Sequence, residues 1–459
     1  MDKRSKIAIL GFGVEGRAML RYLVKHGFHN TTVCDKNVDL KYALPHGVSS
    51  VLGPNYLDDL LSFDVIFRTP GVPFLHPQIQ LAKQNGVTVT SCSKFFIEHC
   101  PCPIIGVTGT KGKGTTCSLI FEMLKKTRKS FLKNLFLGGN IGNPPIEFLH
   151  KLKGDHLVIL ELSSFQLQDL EKSPRYAVLL NTTSDHLDYH VDTGEYMRAK
   201  EGILATQNPD SVAVLNKDYT YFNHYKALVK GTLKLVSVKG KADDGAFVKK
   251  DEIFYSKNGK ESKIADVSDV RLIGSHNLEN ILPAIVVAKE FDVSDSDILS
   301  VIKSFRNLPY RLEFVREFNG VKFYNDSYST TPETSMAAVD SFEDPTVLIA
   351  GGYDKEADYD EWALKILTKP NLHTVILIGD TAEKMEDALL TAESKLGEAE
   401  GSPTKILRRS TMEDAVVDAY AECEDGGVVI LSPAAASFDM YENYKKRGDH
   451  FAEWAKKLR

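Results

Sequence analysis

A glycine-rich stretch around Lys113 has the residue types and the spacing of a phosphate-binding loop. An apolar run at residues 104–107 precedes it, and a helical apolar pattern at residues 119–124 follows it. Glycines tolerate positive φ and let backbone N–H groups approach an anion, and the following helix adds the positive end of its dipole. A lysine in such a loop suits the β- and γ-phosphates of ATP. The predicted ATP-binding residues of the loop are Gly109, Thr110, Lys111, Gly112, Lys113, Gly114 and Thr115.

The loop departs from the standard phosphate-loop pattern at two positions. Val107 stands where the first glycine belongs, and Gly114 follows the lysine in place of a hydroxyl residue. Thr115 brings a hydroxyl one position later. The alternative interpretation is a glycine-rich turn of an α/β protein without a nucleotide.

Two further apolar strands lead into polar residues that could hold a metal ion. Residues 157–160 lead into Glu161, and residues 176–180 lead into a cluster of Asp and His that contains His186. A buried carboxylate is costly unless it is paired, and carboxylates often bind magnesium. Glu161 is therefore a candidate magnesium ligand, with a helix cap as the alternative, and a structural histidine is the alternative for His186. Lys200, in a helical pattern, is by default a solvated lysine.

A second glycine motif opens the chain. Gly11, Gly13 and Gly16 follow an apolar strand and precede a helical pattern, and Asp35 closes the next strand 19 residues after Gly16. This arrangement is typical of a dinucleotide-binding unit and, taken alone, predicts NAD. Its physical content is a diphosphate at a helix N-terminus and an acid near the attached sugar or base, so any nucleotide diphosphate fits.

These motifs need parallel strands to position them, because ligands bind at the carboxyl edge of a parallel sheet. The predicted class is α/β with three domains, which are Rossmann-like, P-loop ATPase-like and Rossmann-like in chain order. Predicted limits are residues 1–98, 99–308 and 309–459. The third domain has predicted parallel strands at 321–325, 346–350, 374–378, 405–407 and 427–431, and residues 230–270 suggest a hairpin-rich insertion around Asn258-Gly259.

The composition is that of a large soluble enzyme. A length of 459 residues fits about three domains, and a net charge of −6 argues against nucleic acid or an anionic membrane as the main partner. No signal-peptide core and no run of about 18 apolar residues is present, so we expect a cytoplasmic protein. The close pair Cys100-Pro-Cys102 matches neither a zinc knuckle nor a C-x-x-C motif, so we expect reduced thiols.

Segments spread over nearly the whole chain resemble, in order, those of the Mur ligases. They are Gly109-Thr-Lys-Gly-Lys113, Glu161-Leu-Ser-Ser-Phe-Gln-Leu167, Asp185-His-Leu-Asp188, His276-Asn277, Asn325-Asp-Ser327, Gly351-Gly-Tyr-Asp-Lys355, Leu431-Ser-Pro-Ala-Ala-Ala-Ser-Phe-Asp439 and Arg447-Gly448. The segments that begin at Glu161 and Leu431 are the most specific, and they are similar to those of the members that add D-glutamate.

The resemblance implies a cytoplasmic, monomeric ligase of peptidoglycan precursor synthesis. Its substrates would be ATP, UDP-N-acetylmuramoyl-L-alanine and D-glutamate, with Mg²⁺ as the metal and an acyl phosphate as the intermediate. The first domain would then hold UDP rather than NAD. The third domain would bring the amino acid and close over the other two.

Site residues follow from the same resemblance. The UDP-substrate would contact Gly13, Val14, Glu15, Asp35, Lys36, Thr69 and Asn140. The nucleotide would also contact Asn277, Arg311 and Asp326. Of two magnesium ions, Glu161 would hold one and His186 the second, and a carbamylated Lys200 would add an oxygen ligand. The catalytic residues would be Lys113, His186 and Lys200. The amino acid would contact Thr330, Lys355, Ser437, Phe438 and Tyr444.

Several positions depart from the family pattern. Lys111 replaces an Asn, Tyr310 a His, Tyr328 a Lys, Thr331 an Asn and Tyr444 a Phe. Gly114 after the lysine resembles the folylpolyglutamate synthases instead. The alternatives are therefore a ligase for another amino acid such as L-glutamate, a folylpolyglutamate-synthase-like ligase, an NAD dehydrogenase, and a nucleotide-binding protein without catalysis.

Overall fold

Three β-sheets organise the chain. The computed structural model describes residues 2–127, 134–182, 192–396 and 404–459, and in these ranges the strands form sheets of five, nine and six strands. Helices connect most of the parallel strands. The predicted three-domain α/β class is confirmed.

The first sheet is parallel throughout, with the strand order β3-β2-β1-β4-β5. Its strands are β1 (Ile7–Leu10), β2 (Thr31–Asp35), β3 (Ser49–Leu52), β4 (Val65–Arg68) and β5 (Thr88–Ser91). Its helices are α1 (Val14–Lys25), α2 (Pro77–Gln84) and α3 (Cys92–His99). The central strand β1 is apolar and buried along its whole length, as expected of a parallel strand covered on both faces.

The central sheet has the order β14-β13-β12-β11-β10-β9-β6-β8-β7. Its strands are β6 (Ile104–Thr108), β7 (Leu135–Gly139), β8 (Leu157–Glu161), β9 (Tyr176–Leu179), β10 (Val212–Asn216), β11 (Thr232–Ser237), β12 (Gly245–Lys249), β13 (Glu252–Lys257) and β14 (Lys260–Asp266). Its helices are α4 (Lys113–Leu124), α5 (Ser164–Leu167), α6 (Thr193–Glu201), α7 (Phe222–Leu228), α8 (Leu278–Glu290) and α9 (Asp295–Ser304). Strands β13 and β14 form the predicted hairpin, because Asn258 and Gly259 both have positive φ (53° and 76°), as a two-residue type I′ turn requires.

The third sheet has the order β15-β16-β20-β17-β18-β19. Its strands are β15 (Glu313–Phe318), β16 (Val321–Asn325), β17 (Thr346–Gly351), β18 (Leu372–Ile378), β19 (Lys405–Arg408) and β20 (Val428–Leu431). Its helices are α10 (Pro332–Val339), α11 (Asp360–Leu367), α12 (Ala382–Leu396), α13 (Met412–Glu422) and α14 (Tyr444–Lys457). The predicted all-parallel sheet is wrong at one edge, where β15 runs antiparallel to β16.

The chain divides into two compact units. Met1–Val270 and Leu278–Ser304 form the first unit, and Arg271–Asn277 and Phe305–Arg459 form the second. Within the first unit, the first sheet and the central sheet share one core, in which Phe96 meets Phe148 with ring centroids 5.6 Å apart. No helix in the described ranges is long and apolar enough to cross a membrane.

Candidate active site

The glycine-rich loop joins β6 to α4 as its sequence predicts. Gly109 and Gly112 have φ of 150° and 82°, and a Cβ on Gly112 would lie 2.0 Å from Asn280 Oδ1. Glycine therefore satisfies both the backbone and the space at that position. Lys113 donates from Nζ to the carbonyl oxygens of Gly109 (3.0 Å) and Thr110 (2.9 Å). The loop thus combines a helix N-terminus and a cation, which together suit a polyphosphate.

Glu161 lies beside this loop at the end of β8. It is 2% exposed, and its backbone is in register with Val107 of β6. Asn140 Nδ2 donates to Glu161 Oε1 (3.0 Å), so two predicted site residues are brought together. Burial raises the pKa of the Cys117 thiol well above its usual range, with the Glu161 charge adding to this shift and the Lys113 charge opposing it. The acid and the lysine therefore act on the same turn of α4.

Lys200 is not the solvated lysine that its helical pattern predicts by default. It is 1% exposed, and its Nζ donates to Gly109 O (3.1 Å) and lies 4.4 Å from the centroid of the Tyr196 ring. The Tyr196 hydroxyl lies 3.0 Å from Thr110 Oγ1. Two side chains of α6 thus contact the glycine-rich loop. The local sequence around Lys200, with its charged neighbours, does not predict this contact.

The other predicted residues around the loop differ in exposure. Lys111 is exposed, whereas Gly114 and Thr115 are buried in the first turn of α4. His186 lies outside the described residues. Within the described ranges, no three His, Cys, Asp or Glu side chains gather as potential metal ligands.

The glycine turn between β1 and α1 is shaped by two predicted substrate residues. Gly11 has φ of 85°, and a Cβ there would lie 2.3 Å from Thr69 Oγ1. Thr69 Oγ1 donates to Leu10 O (2.8 Å), and Phe12 N donates to Asp35 Oδ2 (2.6 Å). Asp35 and Thr69 therefore hold the turn itself in place.

The remaining predicted residues of this turn have different surroundings. Gly13, Val14 and Lys36 are exposed. The Glu15 carboxylate instead accepts a hydrogen bond of 2.6 Å from Gln166 Nε2 on α5. Burial raises the pKa of Glu15, and the Gln166 hydrogen bond opposes this shift. The acid thus contacts the segment that follows Glu161 in the chain.

Sequence reasoning missed a buried arginine next to this turn. Arg68 ends β4 and is fully buried, and its guanidinium donates to Val72 O (3.0 Å) and Phe165 O (2.9 Å). It also lies 3.8 Å from Asp169 Oδ1. Burial raises the pKa of Asp169, and the Arg68 charge opposes that shift. A signal was present, because a charge at the end of an apolar strand is the pattern that singled out Glu161.

The third sheet brings part of the predicted amino-acid site together at its carboxyl edge. Lys355 Nζ lies 5.8 Å from the centroid of the Phe438 ring, and that ring lies 6.1 Å from the ring of Tyr353. Lys355 and Phe438 are exposed, whereas Ser437 is 2% exposed. This group offers a cation, an aromatic face and a sheltered hydroxyl residue.

An aromatic cluster holds the other predicted residues of this edge. The Tyr444 ring packs edge-on against those of Tyr328 (5.0 Å between centroids) and Tyr310 (5.7 Å). The Arg311 guanidinium lies 3.7 Å from the centroid of the Tyr328 ring. Thr330 is half-buried on the same loop as Tyr328. Arg311 therefore has an aromatic partner in Tyr328, and its charge also acts on the Asp326 carboxyl.

Two predicted nucleotide residues face the interior of the second unit. Asp326 accepts hydrogen bonds from Leu312 N (3.0 Å) and Ser432 Oγ (2.8 Å), and burial raises its pKa to about 7. Asn277 is buried and donates to Ile273 O (2.7 Å). Both residues belong to the second unit, whereas the glycine-rich loop belongs to the first.

Three family models match the chain in order. The Mur ligase MurD-like N-terminal domain matches residues 5–91, the Mur ligase middle domain residues 107–288, and the Mur ligase glutamate ligase domain residues 310–435. Each range falls inside one of the three predicted domains, and the predicted limits themselves stay a prediction.

Relatives match over nearly the full length. UDP-N-acetylmuramoylalanine–D-glutamate ligase of Acetivibrio thermocellus is 40% identical over 98% of this chain and 96% of its own, and the protein of that name from Clostridium botulinum strain 657 is 38% identical over the same shares. The solved structure of UDP-N-acetylmuramate-alanine ligase MurC from Thermotoga maritima has a TM-score of 0.61 at 20% identity, covering 99% of both chains. MurF ligase from the same organism, in complex with ADP, has a TM-score of 0.58 at 17% identity over 98% of this chain and 94% of its own.

Proposed function

This chain belongs to the Mur ligase family, and we propose that it is the ATP-dependent ligase that joins D-glutamate to UDP-N-acetylmuramoyl-L-alanine in peptidoglycan precursor synthesis. The observation that carries this proposal is the full-length similarity to D-glutamate ligases at 40% identity. The gathering of Lys113, Glu161 and Lys200 around one glycine-rich loop supports the ATP-dependent part.

The reaction forms an amide in two steps. The alanyl carboxylate attacks the γ-phosphorus of ATP, the bond between that phosphorus and the β,γ-bridging oxygen breaks, and ADP leaves. The D-glutamate amine, having lost a proton, attacks the carbonyl carbon of the acyl phosphate, and inorganic phosphate leaves from the tetrahedral intermediate. Positioning and charge neutralisation dominate such chemistry, so Lys113 at the N-terminus of α4 would stabilise the transferring phosphoryl group.

The residues around the loop fit magnesium. Glu161 offers a buried carboxylate oxygen, the ligand type that this cation prefers. The metal would neutralise phosphate charge when bound. We assign Glu161 to one magnesium ion and His186 to a second, with a carbamylated Lys200 as a further oxygen ligand. Carbamylation joins the Lys200 amine to CO₂ with loss of a proton and creates an anionic oxygen ligand beside Gly109.

We assign the UDP-substrate to the glycine turn of the first sheet. Exposed Gly13 and Val14 would meet the diphosphate at the N-terminus of α1, and exposed Lys36 would lie near the uracil. Because the Glu15 carboxylate is bonded to Gln166, its contribution would come from the backbone N–H. Asn140 would lie near the reacting phosphates.

We assign the remaining residues to ATP and to the amino acid. Asn277, Arg311 and Asp326 would reach the nucleotide, and Thr330, Lys355, Ser437, Phe438 and Tyr444 would contact D-glutamate. Cytoplasmic action as a monomer is also part of the proposal. L-glutamate is the alternative substrate. Because Tyr328 can donate one hydrogen bond but cannot supply a lysine's charge to a dicarboxylate, we expect weaker capture of glutamate than a pocket with two lysines would give.

Phosphate release tests the function. The purified chain is incubated with ATP, Mg²⁺ and UDP-N-acetylmuramoyl-L-alanine, and with D-glutamate, L-glutamate, D-aspartate, L-aspartate or D-alanine in parallel. We expect the highest kcat/KM with D-glutamate and no phosphate release without the UDP-substrate. A higher kcat/KM with an uncharged amino acid would overturn the assignment of the pocket.

Lys355→Ala tests the pocket itself. We expect a KM for D-glutamate at least about tenfold higher, because a charge-assisted contact is lost. Lys365→Ala is the matched control, since Lys365 pairs with Asp340 (2.7 Å) on another face of the third sheet's helices. An unchanged KM in Lys355→Ala would refute this residue's role and leave the ligase class standing.

A further inference from the structure

Arg447 is a buried charge to which the sequence analysis gave no function. It lies in the first turn of α14 and is 1% exposed. Its guanidinium donates five hydrogen bonds, which is the full donor capacity of that group. None of the five acceptors is a carboxylate, so this side chain is not the usual half of a buried ion pair.

The five acceptors belong to three loops at one edge of the third sheet. Nε donates to Ser327 Oγ (3.0 Å) and Nη2 to Ser327 O (3.0 Å), on the loop after β16. Nη1 donates to Gly351 O (3.4 Å), at the end of β17. Nη1 and Nη2 also donate to Ala436 O (2.7 Å) and Ala435 O (3.0 Å), on the loop after β20. A single guanidinium therefore ties the ends of three adjacent strands together.

Each of these loops continues to a residue of the proposed amino-acid site. The loop after β16 carries Thr330, the loop after β17 carries Lys355, and the loop after β20 carries Ser437. The spacing of these three residues thus depends on the spacing of the three loops. Arg447 lies behind them as the contact that all three loops share.

The loops after β17 and β20 approach the guanidinium with backbone atoms alone. A Cβ on Gly352 would lie 2.8 Å from Arg447 Nη1 and 2.1 Å from Ala436 O. Gly352 and Ala434 have φ of 153° and 56°. Glycine and alanine offer few side-chain contacts that could fix such loops, so hydrogen bonds hold them. The loops after β17 and β20 also bond to each other directly, from Tyr353 N to Ala436 O (3.0 Å), and Arg447 adds the bonds that include the loop after β16.

The charge on Arg447 persists at neutral pH. Burial lowers its pKa to about 10, and the charge of Asp439 opposes this shift. Burying a charge is costly, and an apolar side chain of similar volume is often at least as stabilising. Stability alone therefore explains the arginine poorly, whereas the geometry of its five donors fixes three loops at once.

We propose that Arg447 is a positioning residue for D-glutamate, which sets the distances among Thr330, Lys355 and Ser437 and thereby the length of dicarboxylate that the pocket accepts. The inference rests on the proposed function. It assigns no contact between Arg447 and the substrate.

Arg316 provides the matched control. Its guanidinium also donates to backbone carbonyls of the second unit, at Ala455 (3.2 Å) and Lys456 (2.9 Å), near the other end of α14. Those carbonyls belong to none of the three loops. Arg316→Met therefore measures what a carbonyl-bound arginine contributes to the stability of this region.

The experiment compares Arg447→Lys, Ser327→Ala and Arg316→Met with the wild type. Tm and the three substrate KM values are measured, together with kcat/KM for D-glutamate and D-aspartate. We expect Arg447→Lys to raise the KM for D-glutamate about tenfold, to narrow the preference for D-glutamate over D-aspartate, and to leave the KM for ATP and for the UDP-substrate within about twofold. Ser327→Ala removes one acceptor of Arg447, together with the bond that Ser327 Oγ donates to Tyr444 O (2.8 Å), and should raise the KM for D-glutamate by about threefold.

The outcomes separate this inference from the proposed function. If the wild type does not use D-glutamate, the proposed function fails. If the wild type uses it but Arg447→Lys leaves the KM for D-glutamate unchanged, or changes all three KM values equally, the positioning role is wrong. It is also wrong if Arg316→Met produces the same selective rise. Should Arg447→Lys not fold, Ser327→Ala decides, and an unchanged KM for D-glutamate in that variant overturns the proposal.

Discussion

The two glycine-rich turns of the first unit share a design but differ in charge. Each follows a buried parallel strand and opens a helix, and positive φ is found at Gly11 in the first turn and at Gly109 and Gly112 in the second. The turn after β6 holds Lys113 and contacts Lys200, whereas the turn after β1 has Glu15 in the first turn of its helix. Backbone N–H groups suffice to bind a diphosphate, but a transferring phosphoryl group needs its charge neutralised. This difference in charge supports the proposal that the first turn binds the UDP-substrate and that phosphoryl transfer takes place at the second turn.

Removal of the cation from the second turn should have the largest effect. We expect Lys113→Ala to lower kcat by at least about 100-fold, because a contact to the charge of the transition state is lost. The KM for the UDP-substrate should change little, since that ligand is assigned to the other turn. Steady-state phosphate release measures both quantities, and circular dichroism checks the fold. If Lys113→Ala retains a tenth of the wild-type kcat, the second turn does not need this cation for the reaction, and the proposed difference between the turns is wrong.

Lys200 tests whether the second turn depends on a carbamate. We expect Lys200→Ala to be nearly inactive, and added acetate to restore part of the activity by supplying a carboxylate in place of the lost group. Lys226→Ala is the control, because Lys226 is exposed on α7. Phosphate release with and without acetate gives the readout. Full activity of Lys200→Ala would contradict the assignment, despite the burial of this lysine.

Glycine substitutions should separate the two ligands. Gly112→Ala would place a Cβ 2.0 Å from Asn280 Oδ1, and Gly11→Ala would place one 2.3 Å from Thr69 Oγ1. We expect the first variant to raise the KM for ATP and the second to raise the KM for the UDP-substrate, each about tenfold or more, because each distorts one turn. Gly86→Ala is the control, since Gly86 has φ of 85° but open space around an added Cβ.

Substrate titrations of these three variants measure the separation. Gly86→Ala should lose about 1 kcal/mol of stability through backbone strain and leave both KM values unchanged. If Gly11→Ala and Gly112→Ala raise the same KM, the two turns do not serve different ligands.

The acid of the first turn should produce the smallest effect, seen in stability against pH. Burial raises the pKa of Glu15 in the folded chain, so the folded state holds this proton at pH values where the unfolded state has lost it. The stability contributed by Glu15 is therefore full below its unfolded pKa of about 4.5 and decreases as pH rises through the folded pKa. In Glu15→Gln, the loss of unfolding free energy with rising pH should be smaller than in the wild type by about 1 kcal/mol or less. Urea unfolding midpoints at pH 5 and pH 8 measure this loss. An equal change of the midpoint in the wild type and in Glu15→Gln would contradict the prediction.

The sequence pattern predicted those strands whose own residues are apolar enough to indicate burial. The apolar strands β16, β17 and β20 begin or end within one residue of their predicted limits. Strand β15 was not predicted, because it is an edge strand whose residues are half-buried or exposed and include Glu313, Arg316 and Glu317. Strand β7 has a weak strand pattern in the sequence, since it ends in Gly138 and Gly139 and lies at an edge.

Buried charges were harder to predict than buried strands. Lysine and arginine are usually surface residues. The burial of Lys200, Arg68 and Arg447 depends on partners that are distant in the chain. Lys200 meets Gly109 across 91 residues, and Arg447 meets Ser327 across 120. Helix periodicity carries no information about such partners. The resemblance to a family singled out Lys200 and included Arg447 among its matching segments without a role, whereas only the structure singled out Arg68.

The return of α8 to the first unit has a consequence for synthesis on the ribosome. Helix α4, with Leu119, Ile120 and Met123 fully buried, packs against α8, and Thr116 bonds to Asn280 across 164 residues. At roughly 5–20 residues per second, α8 is translated on the order of ten seconds or more after α4. During that interval α4 lacks α8, while β6, β7 and β8, which also pack against it, precede it or follow it closely in the chain. The side of α4 that packs against α8 is therefore open to chaperones during translation.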